Sequence, residues 1–507
     1  MERAGTFRPV AKHARATGRW DCGCDVVRCE AVSLGSRKRI GGDLMATVVN
    51  DAIPEPGQIF GHPRGLAVLA GTELWDRISF HGMQALLVLY MVGQLFLPGH
   101  IEAIVGFKGF RAAIEWVTGP LSIQALASQI FGIYVGLVYF TPVLGGWLGD
   151  RVLGRVNTVT LGALLMTAGH FCMAFDQSFL LAMLFLILGA GCLRGNLMPQ
   201  VAELYTPQDR RRAVAFQLYG SMINLGAFIA PVVTGALAKS YGWHTGFACA
   251  GFGMLIGLIY YRLGQGWLPA QAPRGPREAR PRLRSDERRI VWLLLPLVPI
   301  ATLFWVAQSQ IWNTYNLWVR DHINLVVGGF TVPIPWLQAL DGLAPFLTLP
   351  PFLLLWRWQA RRGTEPSEFG KMAIGCFIFG ASVMLLAAGQ FVIDASGRTP
   401  ILLAIVFHFA SNIGWLYFTP SANSLVTGAA PRPVNGVMIG VYTLSVFFGS
   451  LISGRLGGLY EVLAPAQFWT LHAVAVSLGG VLLLLVGRPL SRQIAAAAAT
   501  GRLSAVV

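Results

Sequence analysis

Between Glu73 and Gly487 the chain passes through about twelve stretches of roughly 20 mostly apolar residues, the length a helix needs to cross the hydrocarbon core of a bilayer. Nothing else in the sequence narrows the fold so far. Inside lipid every backbone N–H and C=O must find its partner within the protein, so repeated apolar runs cross as helices. Composition closes the soluble alternative: 54% of the 507 residues are hydrophobic and 12% charged, about half the charged share of a soluble domain. The predicted class is an all-α polytopic membrane protein whose partner is the lipid bilayer.

The runs predict helices over roughly 73–96, 122–148, 156–175, 178–200, 213–238 and 245–264, then roughly 290–318, 335–357, 369–393, 400–424, 433–459 and 467–487. Six and six suggests a duplicated unit, with one six-helix bundle over 60–264 and another over 290–487. The segment 265–289 between them holds four prolines, seven arginines and three acids, a composition that reads as a solvated, extended linker. Residues 1–44 are rich in Arg, Gly and Cys without an apolar run, so they resemble neither a signal peptide nor a packed domain. Disorder is expected over 1–59. Met45 would open a shorter protein, and a start assigned too far upstream stays open.

The net charge of +15 would suggest nucleic acid in a soluble protein. Here the basic residues fall in alternate loops: Arg151 and Arg155, Arg210–Arg212, the stretch Arg274–Arg289, Arg357 with Arg361 and Arg362, and finally Arg488 and Arg492. That alternation predicts that these loops and both termini, including the tail 488–507, are cytoplasmic, in a multi-pass protein of the cell (inner) membrane. No nucleic-acid partner is expected.

Cysteines 172, 192, 249 and 376 fall within helices as small apolar filler. Cys22, Cys24 and Cys29 are closely spaced, as metal ligands can be, but no second ligand pair follows, and neither metal nor cofactor is expected. No nucleophile-and-base pattern stands out in the helical region, so an enzyme is not expected either.

Ionisable groups inside a membrane are costly, so each is a functional candidate. Glu73, Asp76 and Arg77 lie at i, i+3 and i+4, on one face near the start of the first predicted helix. Two acids beside one arginine leave one acid as the candidate to take and release a proton. The plainer reading is a cluster snorkelling at the membrane edge.

The segment Gly145 to Arg155, Gly-Gly-Trp-Leu-Gly-Asp-Arg-Val-Leu-Gly-Arg, resembles the loop motif of the major facilitator superfamily. The resemblance implies gating roles for Asp150, Arg151 and Arg155, whose contacts at helix ends lock one conformation. It also implies the major facilitator fold, about 12 helices in two six-helix halves.

Further along, the resemblance narrows to the proton-dependent oligopeptide transporter family. Gly61-His62-Pro63-Arg64 leads into Glu73-Leu-Trp-Asp-Arg-Ile-Ser-Phe-His81, similar to that family's Glu-x-x-Glu-Arg-Phe-x-Tyr-Tyr signature. Leu137 to Trp147, Met222 to Phe228, Phe304-Trp305 and Leu416 to Pro420 are also similar. The departures fall where the family binds and couples. Asp76 replaces the second glutamate, Ile78 the phenylalanine, and Phe80 and His81 the two tyrosines, while Gln84 stands where an arginine is usual. Ser309 takes the seventh-helix glutamate's place, so an ion pair has been removed whole, the cheaper change. Arg194-Gly195-Asn196 replaces Lys-Pro-Asn, Trp415 replaces the tenth-helix glutamate, Asp341 replaces an asparagine, and Asn224 matches.

Across these positions acids exceed bases by one charge in the family pattern and in this chain alike. By this resemblance Glu73, Asp76 and Arg77 would couple protons. His81, Gln84, Tyr134, Arg194, Asn224, Trp305, Ser309, Asp341, Trp415 and Tyr442 would form the substrate cavity, with Trp312 among its aromatics. The implied activity is secondary active transport: proton-coupled symport of di- or tripeptides, or peptide-like molecules, by alternating access. Two alternatives stay open: an uncoupled or differently specific facilitator of amino-acid derivatives, and a non-transporting membrane sensor on the same fold.

Overall fold

The computed structural model describes residues 57–206, 208–269 and 283–497. The expectations for 1–56, with the cysteine cluster and the start at Met45, lie outside the described residues, as do those for the middle of the linker and the last ten residues.

The helices run in chain order α1 (Arg64–Tyr90), α2 (Phe107–Thr118), α3 (Ile123–Leu148), α4 (Arg155–Cys172), α5 (Phe179–Glu203), α6 (Arg211–Tyr241) and α7 (Trp243–Gly264). They continue as α8 (Ser285–Leu294), α9 (Leu297–Gln310), α10 (Thr314–His322), α11 (Pro335–Arg362), α12 (Glu368–Ala388), α13 (Ile401–Ala429), α14 (Asn435–Gly457) and α15 (Pro465–Ala497). Eleven helical segments among the described residues are long and apolar enough to cross a membrane, with α8 to α10 counting as one. The remaining predicted span is α4, a shorter and more polar helix of 18 residues. It fits because Thr158, Thr160 and Thr167 return their hydroxyls to its own backbone carbonyls and because it packs against both α5 and α7.

The packing repeats six spans later. In the first half α1 packs on α6 and α7, α3 on α5, and α4 on α5 and α7; in the second, α9 packs on α14 and α15, α11 on α13, and α12 on α13 and α15. The halves meet through α3 against α14 and α6 against α11, a pairing that the same six-span shift maps onto itself. Duplication inferred from the run count is thus present in the contacts.

Without a hydrophobic drive between helices in lipid, close approach of small residues carries the packing. A Cβ on Gly145 of α3 would collide with the carbonyl of Gly191 on α5, and one on Gly226 of α6 would lie 2.5 Å from the Arg77 Cβ. Large apolar side chains such as Leu188, Phe252, Ile259, Leu354 and Leu485 face outward, as a lipid-solvated surface requires.

Three boundaries differ from expectation. Helix α1 begins at Arg64, nine residues before Glu73, so the charge cluster lies in mid-helix and not near its start. The charges do not end the helix because they pair with one another and with α5 and α6, as described below. The predicted span 290–318 is broken at Pro296 and again at Ile311–Asn313. At the second break side chains meet the freed carbonyls: Gln338 donates to Ile311 O at 2.6 Å and Asn316 to Trp312 O at 3.2 Å. Helix α2 forms in a stretch read as loop, where Arg111 ties back to Glu115 and to Leu121 O.

Candidate functional site

Arg77 links the charge network to open space. Its Nε lies 2.6 Å from Glu73 Oε1 and 3.5 Å from Asp76 Oδ2, while Arg194 from α5 places its Nε 3.3 Å from the same Asp76 oxygen. Tyr219 from α6 donates its hydroxyl to the other Glu73 oxygen. Both carboxylates are fully buried, which an unpaired acid could not be. Carboxylate and guanidinium groups thus alternate, Glu73, Arg77, Asp76, Arg194, so that each buried charge lies beside one of opposite sign. The contact at Gly226 lets α6 lie close enough to α1 for Tyr219 to reach.

Beyond Arg194 the network becomes aromatic. Its guanidinium lies 4.0 Å above the Phe80 ring, and Phe80 stacks with Tyr134 at 6.4 Å between centroids. A phenylalanine in place of a tyrosine keeps the cation–π face and gives up the hydroxyl. His81, next on α1, stands 5.1 Å from the Trp312 ring at the break in the seventh span.

A cavity of about 1030 Å³ of empty space, its open solvent included, lies between the halves. Of the predicted site residues, Arg77, His81, Gln84, Asn224, Trp305, Ser309, Asp341 and Trp415 line it. Glu73, Asp76, Tyr134, Arg194 and Tyr442 do not; the first four stand behind the lining, in the ion-pair and aromatic network just described. Arg194, whose Nε meets Asp76 and whose guanidinium lies over Phe80, is not among the lining residues, and Arg77 is the cation at the cavity surface. Opposite it Asp341 of α11 is the lining acid. The two charges come from different halves.

Asp341 has a partner that sequence reasoning passed over. His408 of α13, fully buried, sets its Nδ1 2.6 Å from Asp341 Oδ1. An ionisable group in mid-span was signal enough to find it. Tyr219 gave a weaker signal, one more hydroxyl beside Gln217 and Ser221. Ser309, in the place of a glutamate, meets Ser450 of α14 at 3.2 Å, and Thr348 donates to Asn412 at 2.8 Å, so this wall is polar but carries no other charge among the described residues.

At one end of the cavity the halves are hydrogen-bonded. Gln124 donates to Gly457 O at 3.0 Å and Asn313 to Ser128 Oγ at 2.7 Å, with Ser122 on Glu461, Arg455 on Thr118 O and Lys239 on Thr331 O. These groups sit where α2 meets α3, at the end of α6, at the α9–α10 break, between α10 and α11, and where α14 ends. Near the other end, in the loop motif, Arg155 pairs with Asp150 at 2.9 Å and with Glu203 at the close of α5. Asp150 and Arg155 come together as expected; Arg151 is exposed, and Glu203 is the partner the motif did not reveal.

A sequence model of the POT family matches residues 156–282 and 277–470. An uncharacterized transporter of Bacillus subtilis, YclF, is 28% identical over 87% of this chain and 98% of its own length. A di-/tripeptide transporter of Lactococcus lactis subsp. cremoris is 27% identical over 85% of this chain and 96% of its own. Among solved structures, a mutant POT peptide transporter in complex with alafosfalin superposes with a TM-score of 0.74 at 25% identity, covering 87% of this chain and 97% of that one. The relatives are transporters, not enzymes.

Proposed function

This chain belongs to the POT family, and from that premise we propose that it carries di- or tripeptides, or peptide-like molecules, across the membrane by proton-coupled symport. The observation that carries the proposal is the double use of Arg77. It lines the cavity and at the same time holds the buried Glu73. Protonating Glu73 removes one of the charges on Arg77 and frees its guanidinium for a substrate carboxylate, so proton and substrate share one cation. Asp341 on the far wall is placed for a substrate ammonium, and Asn224 and Gln84 offer hydrogen bonds between them. Acid and base on opposite walls suit a zwitterion.

Alternating access follows from the repeat: the bundles 60–264 and 290–487 rock about the cavity, with 265–289 as the tether. With the basic loops and both termini cytoplasmic in the inner membrane, the hydrogen-bonded end is the outer one and this conformation opens inward. Asp150, Arg151 and Arg155, joined by Glu203, would act at the open end, their pairing changing as the halves move.

A second reading, a facilitator of differently specific or uncoupled type, draws on Ser309 and Trp415, where the family pattern has acids. Uptake decides between them. Purified protein in liposomes with an inward proton gradient should accumulate a peptide from a mixed pool, and Glu73→Gln should abolish accumulation while leaving exchange of labelled peptide. If Glu73→Gln and Asp76→Asn both left gradient-driven accumulation intact, the proton assignment would fail. Binding without any accumulation would favour a facilitator or a sensor.

A further inference from the structure

Asp341 and His408 form an isolated acid–imidazole dyad at the cavity wall. Asp341 reaches the surface with 18% of its side chain exposed, and His408 sits behind it with none. Among the described residues the imidazole's one hydrogen-bond partner is Asp341 at Nδ1, and its Nε2 has none. Around the ring stand Tyr315 of α10, edge-on at 5.2 Å, and Phe407 at 5.3 Å.

The helices packed on α13 bring few other titratable groups near. Cys376 comes from α12 and Tyr442 from α14. Arg320, Asp321 and His322 close α10, and Asp394 and Arg398 precede α13, at one end of the bundle. Lys371 and Glu368 open α12, and Arg357, Arg361 and Arg362 close α11, at the other end. Across the cavity the facing cation is Arg77, which Glu73 already holds.

A neutral imidazole meets Asp341 with its single N–H, and the dyad then bears one negative charge in a wall that, among the described residues, has no cation of its own half. A second proton neutralises it. So does an ammonium group lying against the exposed Asp341 oxygen, and the two satisfy the same charge, so each excludes the other.

We propose that the Asp341–His408 dyad holds one exchangeable proton in the empty cavity and releases it to solvent when the ammonium of a solute settles against Asp341. This rests on the reading of the cavity as a site for amine-bearing solutes. A site of this kind exchanges solute for proton, opposite in sign to the Glu73 cluster, so the net stoichiometry is the difference between the two.

The test is calorimetric binding of dialanine and N-acetyl-dialanine to the purified full-length protein, in buffers of different ionisation enthalpy, which counts protons released. Dialanine should release up to about one proton more than its acetylated form near the pH where imidazoles titrate. In His408→Asn, which keeps a donor at the Nδ1 position and cannot titrate, that excess should vanish while dialanine still binds; His408→Gln serves as a second variant should the first misfold. An unchanged excess in a folded variant, or equal release by both peptides in the unaltered protein, overturns the proposal. If neither peptide binds, the substrate reading falls and the dyad is read directly by ¹⁵N-histidine NMR: a resonance titrating between about pH 5 and 8 that is lost in His408→Asn supports the dyad's proton, and its absence overturns it.

Discussion

Tyr219 reaches from α6 to donate its hydroxyl to Glu73 Oε2, the oxygen that Arg77 leaves free. Tyr219→Phe should therefore strip a buried carboxylate of a donor and cost about 1.5–3 kcal/mol, read as a lower Tm in detergent. In a Glu73→Gln background the same change should cost less, because the charge it serves is gone. Equal costs in both backgrounds would mean that the hydroxyl and the carboxylate are not coupled.

Arg77 supports two acids, and removing it should hurt more than removing either. Arg77→Gln leaves Glu73 and Asp76 short of a counter-charge and should destabilise by about 3–5 kcal/mol. Glu73→Gln with Arg77→Gln together should be milder than Arg77→Gln alone. Thermal unfolding of the three variants checks the order, and a double variant as weak as the sum of the singles would remove the ion pair from the account.

How much of this was legible beforehand depends on the range over which each interaction acts. The span count and the two-fold repeat of six spans follow from apolar runs, which are local. The place of Glu73, Asp76 and Arg77 on one face follows from helix period. Their depth did not, because charges read as a helix boundary until Arg194 and Tyr219 are brought in from α5 and α6, more than a hundred residues away. Asp341 looked free in the sequence for the same reason: His408, its partner, arrives from another helix. The break at Ile311–Asn313 was hidden because the side chains that stabilise it, Gln338 above all, lie in the next span.

Gly145 should tolerate nothing larger. A Cβ there would meet the Gly191 backbone, which cannot move without shifting α5. Gly145→Ala should cost about 1–3 kcal/mol through overpacking and lower the yield of folded protein, while Gly220→Ala on α6, where a Cβ meets open space, should not. Size-exclusion profiles and Tm of the two variants compare them directly.

Asp394, outside the membrane between α12 and α13, is held down at about 2, first by the Asn324 amide at 2.7 Å and then by Ser396. A depressed carboxyl gives its stability above its ordinary value near 3.8 and loses it only as the pH falls towards about 2. Asp394→Asn should therefore lower the Tm by the same amount at about pH 5 and pH 8. A pH-dependent difference in that window would mean that Asp394 still titrates there, which its hydrogen bonds oppose.

Gln84 and Ser309 stand on opposite halves of the cavity, where the family pattern places an arginine and a glutamate, and both are nearly buried. Restoring one charge alone puts an unpaired ion into a wall that offers it little, so Gln84→Arg and Ser309→Glu should each reduce stability and uptake. Together they can neutralise each other, and the double variant should recover at least about 1.4 kcal/mol, or tenfold in uptake, relative to the sum of the singles. Such coupling would place the two positions within reach of one another during transport and would show that the cavity lost a pair, not two unrelated residues. Strict additivity would mean that the positions never meet.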